Sequence, residues 1–176
     1  MNMEFRSERL ILRQATMNDA SFIHELLNQD SFKDNIADKQ INSLEDAKQY
    51  IAIAFIEPYK SNTFAPYVVC LRDEARDFKA IGICGLYKRP NLHFPDLGYA
   101  FLDEWSGKGF ASEAAQVMIN YTKENLKQGY ICALTSPKNQ RSISLLEKCG
   151  FKLATQIIFN KDQGISNLYQ LCLLSE

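Results

Sequence analysis

The sequence is poor in the residues that organise metal and disulfide chemistry. It has only two histidines, His24 and His93, and they lie far apart in the chain. Its five cysteines (Cys70, Cys84, Cys132, Cys149 and Cys172) are odd in number, and no two are spaced Cys-x-x-Cys. A zinc site and a disulfide framework are therefore not expected. Four of the cysteines sit in runs that read as strands, where a free thiol behaves as a small buried hydrophobe. This pattern points to a reducing, cytoplasmic compartment. Excess charge of one sign is also missing: 20 Lys and Arg face 21 Asp and Glu, for a net charge of −1. Nucleic-acid binding by bulk charge is excluded on that balance. The longest apolar stretches, such as Ile51 to Ile56 and Gly129 to Leu134, fall far short of the ~20 residues that span a membrane. Early charges at Glu4, Arg6, Glu8 and Arg9 with no apolar stretch behind them argue against a secretory signal.

Repeats, low-complexity tracts and Pro/Gly/Ser-rich linkers are absent as well, and 176 residues suit one domain over 1–176. What is present is an ordinary globular pattern. Arg9 to Gln14 alternates as a strand. Thr16 with Asp19 resembles a capping box opening a helix to about Asn28. Residues 29–42 read as polar and irregular. Ser43 with Asp46 opens a second helix to about Glu57, which Pro58 is expected to end. Strands follow at Phe64 to Arg72 and Lys79 to Lys88, joined by a charged turn at 73–77, and then at Asp96 to Leu102. A long helix runs to about Lys127, with Gly129 as its stop. A strand at Tyr130 to Thr135, a helix at Asn139 to Cys149, and strands near Leu153 to Phe159 and Ser166 to Leu174 complete the chain. The mixture of hairpin and crossover connections gives an α+β fold on a mixed sheet.

Two segments carry chemistry. In the first, the strand from Leu97 runs into a turn holding Gly107 and Gly109, which opens the long helix. Unpaired helix N–H groups and the helix dipole favour an anion there, and glycines let a phosphate approach the backbone. The turn is neither a Walker loop nor a Gly-x-Gly-x-x-Gly fingerprint. In the second, Asn139 fits a helix N-cap, with Ser142 in the first turn and Gly150-Phe151 behind the helix.

Taken in order, these segments resemble the GNAT superfamily of acyl-CoA-dependent N-acyltransferases. The similarity is greatest to the branch of ribosomal-protein N-terminal acetyltransferases, the RimJ/RimL type. Glu8 to Arg13 resembles the opening strand of that branch, Asp19-Ala20 its first helix, and Leu97-Gly-Tyr99 its fourth strand. Gly107 to Ala114 resembles its acyl-CoA loop, and Asn139-x-x-Ser142 its late helix motif. The resemblance implies a mixed, mostly antiparallel sheet of about seven strands flanked by about four helices, with acetyl-CoA as co-substrate. It implies CoA contacts from Phe101, Leu102, Gly107, Lys108, Gly109, Phe110, Ala111, Ser112, Asn139 and Ser142. Oxyanion donors would come from the backbone around Phe101 and Leu102. Two departures stand out. Ser106 occupies the first position of the family loop pattern, and Leu146 occupies the place where many members carry a tyrosine that protonates the leaving thiolate.

With that tyrosine missing, Ser142 is the candidate for the thiolate and Asp96 the first candidate base, with His93 behind it. Glu113 reads as a capping or dipole residue, Tyr99 as packing, and Trp105 as a packing wall. Lys108, Lys138 and Arg141 could meet CoA phosphates. Five acids between Asp30 and Asp46 would lie over the acceptor cleft in this fold. The expected reaction is acetyl transfer from acetyl-CoA to a primary amine, a protein N-terminus, by direct attack in a ternary complex. A small-amine acetyltransferase and a non-catalytic acyl-CoA-binding module are the alternatives. The expected chain is a monomer or homodimer, with no metal, nucleic acid or membrane partner.

Overall fold

The computed structural model describes residues 3–61, 63–72, 78–160 and 164–174. The charged turn expected at 73–77 lies outside these residues. One eight-stranded sheet runs in the order β1 (Glu4–Arg6), β2 (Leu10–Arg13), β3 (Pro66–Leu71), β4 (Ala80–Tyr87), β5 (Asp96–Phe101), β6 (Tyr130–Thr135), β8 (Gly164–Cys172), β7 (Lys152–Asn160). Every neighbouring pair is antiparallel except β5 and β6, which are parallel. The α+β class and mixed sheet match the expectation, with one strand more than the seven foreseen. The extra strand is β1, where a single apolar residue between Glu4 and Arg6 is too short a run to show a period of two. Phe5 secures it, packing edge-on against Tyr67 and Tyr121 at 5.0 and 4.9 Å.

Helices cover both faces. On one lie α5 (Phe110–Glu124) and α6 (Gln140–Lys148). Ala114, Ala115, Met118 and Leu146 pack there against Leu97, Ile81, Val69 and Ile131. On the other face lie α1 (Ala20–Asn28), α2 (Asp30–Asn35), α3 (Leu44–Ile51) and α4 (Glu57–Lys60). Ile23, Leu26, Ile51 and Phe55 pack there against Val68, Cys70, Ile83 and Leu102. Each fully buried large apolar side chain contributes about 1.5–3 kcal/mol.

The expected capping box is present, with the Thr16 N–H donating to Asp19 at 2.7 Å. Two expectations are corrected on the second face. Residues 29–42 are not all irregular, since α2 forms there around buried Phe32. Pro58 does not end the second helix. A π turn over Ala52–Ile56 has already shifted the ladder, with the Glu57 N–H donating to the Ala52 carbonyl, so the chain continues helically through Pro58 to Lys60. A proline breaks a helix by removing an i→i−4 bond, and next to a π turn that pattern is already interrupted.

The feature that positions everything else is the junction of β5 and β6. The two strands share one register pair, Asp96 with Cys132, and the Cys132 N–H donates to the Pro95 carbonyl at 2.9 Å. A continuing parallel ladder would next give the Leu134 N–H to the Leu97 carbonyl. Leu134 N–H donates instead to the Asp96 carboxylate, at 3.2 Å. A side chain thus takes the place of a backbone acceptor at the point where the strands part. The split opens toward their carboxyl ends, where α5 and α6 begin.

Candidate active site

Antiparallel pairing decides which β5 groups face the split. The Leu102 N–H donates to the Ile81 carbonyl at 2.9 Å, so Leu102, Ala100 and Gly98 direct their backbone groups to β4. Tyr99 and Phe101 direct theirs away from β4, toward the opening. The expectation for this backbone therefore divides: Phe101 presents its N–H to the split, whereas the Leu102 N–H is spent within the sheet and its side chain is buried on the α1–α4 face. The side chains alternate too, with Leu97, Tyr99 and Phe101 on the α5–α6 face and Ala100 and Leu102 on the other. Asp96 shares the parity of Ala100, so Asp96 and Ser142 lie on opposite sides of the sheet.

Beyond β5, Gly107 and Gly109 both adopt positive φ, +75° and +83°. That backbone suits glycine. Gly109 is the N-cap of α5 and supplies no side-chain cap, so the N–H groups of Phe110, Ala111 and Ser112 lack intrahelical partners. Lys108 Nζ lies over the Trp105 ring, 4.6 Å from its centroid.

One brace of this loop was not foreseen. Arg9, in the turn just before β2, donates to the Lys108 carbonyl at 3.2 Å, with its guanidinium 4.5 Å above the Phe110 ring. Glu113 fixes it, accepting from Arg9 Nε at 2.7 Å, the Arg9 N–H at 2.8 Å and Ser7 Oγ at 2.8 Å. Burial works to raise the Glu113 carboxyl, and these donors outweigh it and hold the group below its ordinary value. Glu113 is thus a clasp between the β1–β2 turn and α5, in line with a structural role. Gln29 is a second unforeseen brace, donating to the Phe101 carbonyl at 3.3 Å and accepting from the Asp103 N–H at 2.7 Å. Both braces join residues distant in sequence, for which only a spare polar side chain beside an element end could have been a signal.

On the other side of the split, the Asn139 side chain accepts from the Ser142 N–H at 3.1 Å and caps α6. Ser142 Oγ lies 2.9 Å from the Tyr99 hydroxyl. Tyr99, expected to be packing alone, therefore spans from β5 to the start of α6. Leu146 is buried in the α5–α6 core.

Asp96 begins β5 as expected. Its side chain is 3% exposed, with one oxygen 2.8 Å from Arg89 Nε and the other accepting from Leu134. Burial raises its carboxyl above the ordinary value, against the opposing pull of Arg89 and the Leu134 N–H. His93 is exposed and stacks edge-on against Phe94 at 4.9 Å. With Lys88 and Pro95 it lines a cavity of about 220 Å³ at the amino end of β5, the end away from the glycine loop. Lys138 and Arg141 are exposed at the start of α6. Among the described residues no cluster of three His, Cys, Asp or Glu could hold a metal, and no helix is long and apolar enough to cross a membrane.

An anion-ready helix start, a second helix start carrying hydroxyls, and a parted pair of parallel strands between them form a binding geometry at a strand-order switch. Residues 9–152 match the acetyltransferase (GNAT) domain family. The chain belongs to that family. It is an acetyltransferase, and acetyl-CoA is the acyl donor of its family. YnaD, an uncharacterized N-acetyltransferase of Bacillus subtilis, is 28% identical over 150 residues, covering 85% of this chain and 83% of its own. The structure of RimL, a ribosomal L7/L12 α-N-protein acetyltransferase in complex with coenzyme A, superposes with a TM-score of 0.82 at 16% identity, covering 97% of this chain and 98% of that one. MccE, a microcin C7 self-immunity acetyltransferase in complex with acetyl-CoA and AMP, superposes at 0.79 with 17% identity, covering 94% and 93%. At those identities the two structures speak for the fold alone.

Proposed function

We propose that this GNAT acetyltransferase transfers acetyl from acetyl-CoA to a primary amine, with a protein N-terminus as acceptor. The observation that supports the site most directly is the pairing of the uncapped α5 start with the Tyr99–Ser142 hydroxyls across the β5–β6 split. In this reading the diphosphate of CoA lies on the N–H groups of Phe110, Ala111 and Ser112, where Gly107 and Gly109 leave the backbone open and Arg9, its charge balanced by Glu113, holds the loop through the Lys108 carbonyl. Lys108 lines the same loop. The pantetheine arm passes between β5 and β6, beside Asn139. A neutral amine attacks the thioester carbon from the α1–α4 face. The Phe101 N–H is the strand donor that faces the developing oxyanion. The C–S bond then breaks and the thiolate is met by Ser142.

For removal of the amine proton the proposal keeps Asp96. Its burial raises the carboxyl in the direction a base for neutral pH needs. At 3% exposure it receives the proton through a relay, without touching the acceptor. The small-amine reading is favoured by no residue in particular beyond the acids at Asp30, Asp34 and Asp38, which are consistent with any cationic acceptor. RimL, a ribosomal L7/L12 α-N-protein acetyltransferase, is an example of the protein N-terminal acceptor class. Five free cysteines, three of them buried, support the expected reducing compartment.

The test is mass spectrometry of products after the full chain is incubated with acetyl-CoA and a panel of peptides and small amines. The Gly109→Glu variant serves as control, since a carboxylate on the loop should weaken acetyl-CoA binding at least tenfold by calorimetry. Acetylated peptide α-amines support the reading. Products confined to small amines replace its acceptor, and unchanged binding by Gly109→Glu removes its donor site.

A further inference from the structure

The absent tyrosine leaves a chemical gap on the α5–α6 face. Leu146 is 1% exposed within the core, so nothing at that position can meet a departing sulfur. The described residues place another phenol nearby, from a different element. Tyr99 projects from β5 beside the split, and its hydroxyl lies 2.9 Å from Ser142 Oγ. Its contact with the Ser142 carbonyl is longer, 3.4 Å, near the limit of a hydrogen bond. The serine is held from behind as well, because its N–H donates to Asn139.

We propose that Tyr99 is a positioning residue: it donates to Ser142 Oγ and so leaves the serine proton directed at the sulfur of the acyl donor. This inference rests on the acetyl-CoA reading above. Burial raises the Tyr99 phenol far above its ordinary value, so it stays protonated and remains a donor. A hydroxyl that accepts from Tyr99 has its own hydrogen free for a further acceptor. The groups around the pair do not compete for that hydrogen. Cys84 lies opposite Tyr99 on β4, Cys149 ends α6, and burial keeps both thiols protonated. Asp96 is on the other face of the sheet, and Lys138, Arg141 and Glu147 are exposed.

The step balances without a proton leaving either hydroxyl. The amine nitrogen forms the C–N bond, the C–S bond breaks with its electron pair on sulfur, and the nitrogen loses one proton to the base side. CoA departs as thiolate, hydrogen-bonded to Ser142, and is protonated by solvent after release.

The test uses CoA itself and needs no acceptor. The thiol of CoA bound to the full chain is titrated by thiolate absorbance, and affinities for CoA and for desulfo-CoA are measured by calorimetry across the same pH range. The wild type should bind the thiolate about tenfold more tightly than the thiol, equivalent to one unit of pKa. Tyr99→Phe and Ser142→Ala should each reduce that preference to less than threefold, with desulfo-CoA affinity within twofold of wild type. A purely structural phenol would leave the thiol titration unmoved, and that result in Tyr99→Phe overturns the inference. Equal losses for CoA and desulfo-CoA in both variants overturn it too. Ser142→Ala keeps the test decisive if Tyr99→Phe fails to fold, since an unshifted thiol in that variant removes the hydroxyl pair. Failure of the wild type to bind either ligand removes the acetyl-CoA reading itself, a distinct outcome.

Discussion

Asp19 and Asp96 look alike by burial and differ in every consequence. Their side chains are 7% and 3% exposed, and each is paired with one arginine. Asp19 receives a two-pronged guanidinium, Arg13 Nη2 at 2.6 Å and Nη1 at 2.9 Å, and also the Thr16 N–H. Burial works to raise its carboxyl, and these donors together hold it below the ordinary value. Asp96 receives one prong from Arg89 and a longer bond from Leu134, and burial wins, so its carboxyl is raised. Two similarly buried carboxylates are thus sorted by their donors: one becomes a fixed latch at the start of α1, the other a carboxyl raised above its ordinary value at the split.

The largest effect should come from removing the latch arginine. Arg13→Gln leaves Asp19 buried without its fork, which should cost about 3 kcal/mol and lower Tm by about 6–12 °C. A shift of a degree or two in thermal unfolding would mean the latch is no stronger than a surface pair. Next, Asp96→Asn keeps the acceptor for Leu134 and removes basicity. Its kcat/KM should fall at least tenfold at neutral pH, least at high pH where the amine deprotonates unaided. A wild-type rate would transfer the proton to water or to another residue, His93 first. A smaller loss, about 1 kcal/mol by urea unfolding, is expected for Arg89→Gln, because the guanidinium is partly exposed and Asp96 can accept a proton in compensation. A loss equal to that of Arg13→Gln would erase the contrast.

The smallest effect is a slope. Asp19, with a lowered folded pKa, contributes stability above the ordinary carboxylate value that fades as pH falls through the folded one. Asp96, with a raised folded pKa, opposes folding while ionised, and that penalty lifts as pH falls through its folded value. The stability difference between wild type and Asp19→Asn should therefore grow with pH below about pH 4 and level off above it, whereas that between wild type and Asp96→Asn should shrink as pH rises above about 4 through the folded value of Asp96. Slopes of one sign in both urea series would show that the two sites are alike after all.

The sequence was most legible where local periodicity and local chemistry agree. The strand at Tyr130–Thr135 has the bounds its apolar run suggests, and Thr16 with Asp19 caps as its spacing suggests. The glycine loop was legible because positive φ is written in the residue type. Less legible were elements too short to show a period, β1 and α2, and the π turn that carries the helix past Pro58. Least legible were partnerships across the chain: Arg9 with Glu113, Gln29 with the end of β5, and Tyr99 with Ser142. Each is a polar side chain whose partner lies tens of residues away, and no spacing rule connects them. Asp96 shows the same limit, since its place at the start of a strand was plain while its use as a substitute backbone acceptor depends on Leu134 in another strand.

That substitution leaves a mark on exchange with solvent deuterium. Along β5 the amide hydrogens alternate between two environments. Those of Gly98, Ala100 and Leu102 are held by β4, while those of Tyr99 and Phe101 face the gap that opens above Asp96. In the unliganded chain, protection should therefore rise and fall residue by residue within a single strand in the middle of the sheet, a pattern ordinarily confined to the outer border of a sheet. The molecule in effect carries a pair of borders in its interior, facing one another and flanked by helices on both faces of the sheet, so that a strand of another chain has no straight approach to them.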